Sequence, residues 1–62
     1  MSKWISVEDR LPKAVDDYLV EIVTPGGYEH YADVRTFADG EFRGVSCGNR
    51  VTHWMPLPDP PA

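Results

Sequence analysis

Apolar positions along this chain fall in short runs broken by glycine and proline, and the runs read as strands. Asp17 to Thr24, DYLVEIVT, is the strongest, with six of eight residues β-branched, aromatic or leucine. Tyr18, Val20 and Ile22 share one face of it, and Leu19, Glu21 and Val23 the other. Both faces are largely apolar, which predicts a strand covered on both sides. Tyr28 to Phe37, YEHYADVRTF, alternates over a longer stretch. Tyr28, His30, Ala32, Val34 and Thr36 take one face; Glu29, Tyr31, Asp33, Arg35 and Phe37 take the other, which is mostly polar and is expected to face water. Pro25-Gly26-Gly27 between these strands is a turn: proline presets φ for the first central position, and glycine accepts the positive φ that a type II turn needs next. Asp39-Gly40 is a second hairpin signal, leading into a short strand over Glu41 to Val45. A polar loop, SCGNR, then precedes a last short strand over Val51 to Met55.

The two ends read differently. Trp4 and Ile5 open a short strand, and Ser6 followed by Asp9 three residues on resembles the N-cap of a single helical turn. Pro12 closes that segment, because the residue before proline avoids helical geometry, and a loop runs on through Asp16. The last seven residues, PLPDPPA, contain four prolines and suit only an extended, polyproline-like tail. The pattern predicts a mostly β, single small domain over residues 1–62: an antiparallel meander of three to four strands, one short helical turn near the N-terminus, and a proline-rich extended C-terminal tail over 56–62. Trp4 and Trp54 lie near opposite chain ends, and both indoles are expected in one cluster with Leu11, Met55 and Leu57.

Length limits what such a domain can do. A chain of 62 residues buries only about 60% of its unfolded surface. Its seven aromatic residues supply a thin core, with little left for a deep pocket. Sharing apolar surface in a homo-oligomer would help. The net charge of −4 opposes the phosphate backbone, so no nucleic-acid partner is expected. The single cysteine, Cys47, forms no intrachain disulfide, which suits a reducing cytoplasm. No signal peptide and no membrane span is read from the sequence.

Candidate chemistry is sparse. Cys47 and His53 could pair as nucleophile and base, but so short a chain has little structure left to position a second shell of support, and no catalysis is predicted. His30, Asp33, Cys47 and His53 offer metal-ligand types without a CxxC or HxxxH spacing, and His30 and Asp33 point to opposite faces; no metal and no cofactor is expected. Gly26-Gly27 lacks the spacing and lysine of a phosphate loop. The candidate binding surface is the polar face of the long strand: Tyr31, Arg35 and Phe37, with Arg43 on the neighbouring strand and Arg50 in the SCGNR loop. Arginine and tyrosine dominate binding hot spots, and arginine beside a ring also suits a nucleotide. The competing reading is a solvated face with cross-strand ion pairs such as Asp33 with Arg43. His53 and Trp54 complete the candidate set as an aromatic groove, against a structural reading in which Trp54 anchors the proline-rich tail. Pro58 and Pro61 also satisfy a PxxP ligand pattern.

The opening WISVEDRLP, Trp4 to Pro12, and the closing VTHWMPLPDPP, Val51 to Pro61, resemble the domain of unknown function 551 family of small phage and prophage proteins. The resemblance implies an accessory gene product working inside a bacterium and supplies no activity. The expected function is a non-catalytic cytoplasmic binding protein that antagonises a host defence system by occupying a protein partner. One alternative is an oligomeric sponge for a small nucleotide signal; the other, disfavoured, is a minor accessory enzyme.

Overall fold

The computed structural model describes residues 3–58. Antiparallel strands form one curled, half-barrel sheet with almost no helix. They are β1 (Ile5–Ser6), β2 (Asp16–Val23), β3 (His30–Ala38), β4 (Glu41–Phe42) and β5 (Arg50–Pro56), in the spatial order β1-β5-β2-β3-β4. Among the described residues the expected three to four strands are five. The short strands expected at Trp4 and Ile5 and over Glu41 to Val45 both form, as β1 and β4, with two residues each. Each exists because a longer neighbour lends it a ladder: Ile5 and Ser6 pair with Trp54 and His53, and Phe42 and Glu41 pair with Phe37 and Ala38. The meander holds for β2, β3 and β4. β5 then returns to the far side of β2, which becomes the central strand.

Both predicted hairpin turns form. Pro25 occupies the first central position of a type II turn and Gly26 the second, at φ 79° and ψ −5°; the Gly27 N–H donates to the Thr24 carbonyl at 2.9 Å. Asp39 (φ 55°) and Gly40 (φ 80°) both take positive φ in the two-residue β3–β4 hairpin, the backbone that matches strand twist. Near the N-terminus, the Asp9 and Arg10 N–H groups donate to the Ser6 carbonyl at 3.0 and 3.2 Å, and the Glu8 N–H donates to Ser6 Oγ at 3.2 Å. The expected helical turn is thus one hydrogen-bonded turn capped by Ser6.

The core lies on the inner face of the sheet. Tyr18, Val20, Ile22, Phe37 and Trp54 are buried, with Ile5, Val7, Phe42 and Val51 packed against them. Val20 and Ile22 are completely enclosed, and each stabilises the fold by about 1.5–3 kcal/mol through burial alone. Tyr18 and Trp54 meet edge to face with ring centres 5.2 Å apart. The same two rings hold the β1–β2 connection across the core. Trp54 Nε1 donates to the Arg10 carbonyl, and Tyr18 Oη donates to the Ala14 carbonyl, each at 2.9 Å. A loop thus covers the end of the core where a larger domain would place a helix.

Three packing expectations are corrected. The indoles do not cluster: Trp54 points inward, whereas Trp4 lies beside Glu21, Val23, His30 and His53 on the outer face. Leu11 and Leu57 are exposed, and Met55 pairs with Leu19 on the outer face. The β1–β5 ladder joins the two ends of the chain instead. Secondly, β2 is buried only on its Tyr18, Val20 and Ile22 side; Leu19, Glu21 and Val23 are half-buried. Thirdly, the face of β3 expected to meet water is the inner one. Tyr31, Arg35 and Phe37 pair with Ile22, Tyr18 and Asp16, so they share the core side of the sheet, while His30, Ala32, Val34 and Thr36 are exposed outside. Burying Phe37 and aligning β3 with the apolar parity of β2 outweigh the polarity of Asp33 and Arg35, whose heads reach the sheet edge. Pro56 ends β5 opposite Tyr18 rather than opening a tail; residues 59–62 of the expected tail lie outside the described residues.

Candidate functional site

The inner face opens between the β1–β2 loop and the β3–β4 hairpin into a groove of about 270 Å³. Val7, Leu11, Phe37, Phe42, Val45 and Val51 form its walls, and Glu41, Asn49 and Arg50 stand at its rim. Each wall has a local cause. Phe37 and Phe42 are cross-strand partners, locked edge to face at 4.9 Å. Leu11 precedes the buried Pro12 on a loop that Trp54 pins at the Arg10 carbonyl, and it stays 44% exposed. Leu11 is therefore the most available apolar group of the groove. The 46–50 loop closes on itself where the Asn49 N–H donates to the Ser46 carbonyl at 3.0 Å. Asn49 Nδ2 also reaches Tyr31 Oη at 3.5 Å, which ties this loop to β3 and sets Arg50 at the rim.

The structure gathers part of the predicted set here. Phe37 and Arg50 line the groove, and Tyr31 touches its rim through Asn49. Arg35 is nearby but already engaged: its Nη1 lies 2.9 Å from Asp33 Oδ2 and donates to the Val34 carbonyl at 2.7 Å. Asp33 in turn accepts the Val34 N–H at 2.8 Å. That backbone N–H, and then the Arg35 guanidinium, hold the Asp33 carboxyl below its ordinary value. Arg43 lies apart. Its guanidinium is 3.2 Å from Glu41 and 3.7 Å from Asp39, so the expected Asp33–Arg43 pair is replaced by Asp33–Arg35. These exposed Arg43 pairs are worth at most about 1 kcal/mol. His53 is on the outer face, opposite Glu21, with Nδ1 3.0 Å from Thr52 Oγ1. Trp54 is 6% exposed and Phe37 7%; Trp54 serves the core, and Phe37 serves the core and the groove floor.

Val7, Leu11, Val45, Asn49 and Val51 were not in the sequence-derived set. Their signal was faint: three valines, a leucine and a loop asparagine, with no period to join them. Cys47 is exposed in the 46–50 loop. Among the described residues no group of three His, Cys, Asp or Glu side chains converges for a metal ion, and no helix is long and apolar enough to cross a membrane.

Fold and groove together define a small antiparallel β domain with an open apolar cleft on the inner side of its sheet. The chain belongs to the family described as Protein of unknown function (DUF551), whose model matches residues 3–62. No curated protein and no solved structure matches it.

Proposed function

We propose that this chain is a non-catalytic binding protein that occupies a protein partner through the inner-face groove. The observation that carries this reading is the groove's combination of size and lining. At about 270 Å³ it is small and open to solvent, whereas small-molecule sites enclose most of their ligand. It suits one apolar anchor side chain from a larger partner, with Arg50, Asn49 and Glu41 supplying a polar rim. The family resemblance of the two chain ends adds the setting: a phage or prophage accessory protein acting in the cytoplasm of a bacterium, with a component of a host defence system as the partner and stoichiometric occlusion as the mode of action.

The test is capture of a partner from host lysate by the native chain and by Leu11→Asp, followed by titration of the purified pair. A charge on the most exposed wall of the groove should weaken binding at least tenfold while leaving the unfolding midpoint close to native, because Leu11 is not core. Equal capture by both chains removes the groove from the interface. A rise in melting temperature with a cyclic nucleotide, and none with protein, would favour the nucleotide sponge instead.

A further inference from the structure

β3 is nine residues long, but its outer neighbour β4 pairs only with Phe37 and Ala38. Arg43 extends that ladder by one bond, its N–H donating to the Thr36 carbonyl at 2.7 Å. Among the described residues no strand lies against residues 30–35 on this side. The direction of the backbone groups there is fixed from both ends. Glu29 turns its carbonyl toward β2, where it accepts the Thr24 N–H, and Thr36 turns its carbonyl toward β4. Antiparallel alternation therefore aims the N–H and C=O groups of His30, Ala32 and Val34 outward, at the open edge. Such an edge is a template for another strand.

One position on it is closed. Val34 has its N–H accepted by the Asp33 carboxylate at 2.8 Å and its carbonyl bonded by Arg35 Nη1 at 2.7 Å, while the two side chains are joined at 2.9 Å. A carboxylate and a guanidinium thus take the two hydrogen bonds that a neighbouring strand would make. Arg35 does so at a cost: its Nε is buried without a partner among the described residues.

We propose that the His30–Arg35 edge of β3 is a docking strand for the same segment of a second copy of this chain, and that the Asp33–Arg35 clip over Val34 is the latch that keeps it shut. Charge and sterics select the register. A two-fold axis at Ala32 sets His30 opposite Val34 of the second copy and Arg35 opposite its Glu29, an attractive pair made twice. An axis at Val34 would put Ala32 of the second copy opposite Thr36, the place Arg43 already holds. Opening the latch exchanges two side-chain bonds at Val34 for two main-chain bonds to His30 of the second copy.

The experiment compares the native chain with Asp33→Ala and Asp33→Val by light scattering over a concentration series, with the unfolding midpoint of each as the fold control. A second set carries Cys47→Ser and Ala32→Cys, because Cα atoms of a hydrogen-bonded antiparallel pair lie about 5.5 Å apart, within disulfide reach. The expected result is a monomeric native chain, self-association at least tenfold tighter in both Asp33 variants, and oxidative cross-linking at position 32 only when the latch is removed. Ala32→Pro added to Asp33→Ala removes an edge N–H and should return the chain to monomer. Asp33 variants that fold and stay as monomeric as the native chain overturn the proposal, including any that instead capture an unrelated extended peptide; so does a dimer that never cross-links at position 32. If Asp33→Ala fails to fold, Asp33→Val, a strand former with no acceptor for the Val34 N–H, decides.

Discussion

β2 and β3 are of nearly equal length, adjacent and antiparallel, yet they are built on opposite terms. β2 is flanked by β3 and β5 along its length and packs Tyr18, Val20 and Ile22 into the core. β3 has a partner along one edge, exposes His30, Ala32 and Val34 outside, and contributes only Phe37 to the buried cluster. Where β2 spends its inner positions on packing, β3 spends two of them, Asp33 and Arg35, on its own open edge. In a thin domain a central strand supplies the core, and an edge strand must first manage its unpaired backbone. Edge backbone left over by a short β4 is also where this molecule meets others on the reading proposed above.

The contrast breaks most visibly at Ile22. Ile22→Ala should cost about 2–5 kcal/mol, a large share of the about 3–9 kcal/mol expected for a chain of this length. Denaturant unfolding should then show a much lower midpoint or no folded baseline. Trp54→Phe comes next. It removes the donor to the Arg10 carbonyl, and a loss of about 1–3 kcal/mol is expected with the β1–β2 loop freed; faster amide exchange in residues 10–15 would show the loop's release. Val34→Ala, on the exposed face of β3, should change stability by less than about 1 kcal/mol. A loss as large as that at Ile22 would mean that the outer face is covered in solution.

The smallest effect sharpens the comparison through pH. The Asp33 carboxyl is held below its ordinary 3.8 by the Val34 N–H and then by Arg35. A lowered folded-state value means the contribution is complete above the ordinary value and is lost as pH falls below it through the folded value. Arg35 and Tyr31 flank Asp33 on β3, and its partner on β2 is Val20, so Arg35 is the charge that faces it. Comparing acid unfolding of the native chain with Asp33→Asn should show a small extra loss below pH ~4 that the variant lacks. Identical acid profiles would mean that the latch contributes nothing to the fold.

β2 was legible in the sequence because all three of its inward residues are apolar and its neighbours in the chain are turn formers. The two hairpins were legible for a local reason: Pro25-Gly26 and Asp39-Gly40 select their backbone angles without help from the rest of the molecule. β3 was legible as a strand but not in its orientation. Alternation gives two faces and does not label them, and the apolar-looking set of Tyr28, Ala32 and Val34 belongs outside. The groove was barely legible, since Val7, Leu11, Val45 and Val51 come from segments that meet only after β5 has crossed back to β2.

The sequence by itself determined where this chain extends, where it turns and which short segments carry its apolar rings, because those depend on torsional preference and on residues one or two positions apart. Only the tertiary structure decided which face of β3 turns inward, that the two indoles part company, and that the last strand lies between the first and the second. Those outcomes depend on register between strands distant in the chain, where burying Phe37 and Trp54 together gains more than any local preference of the residues around them.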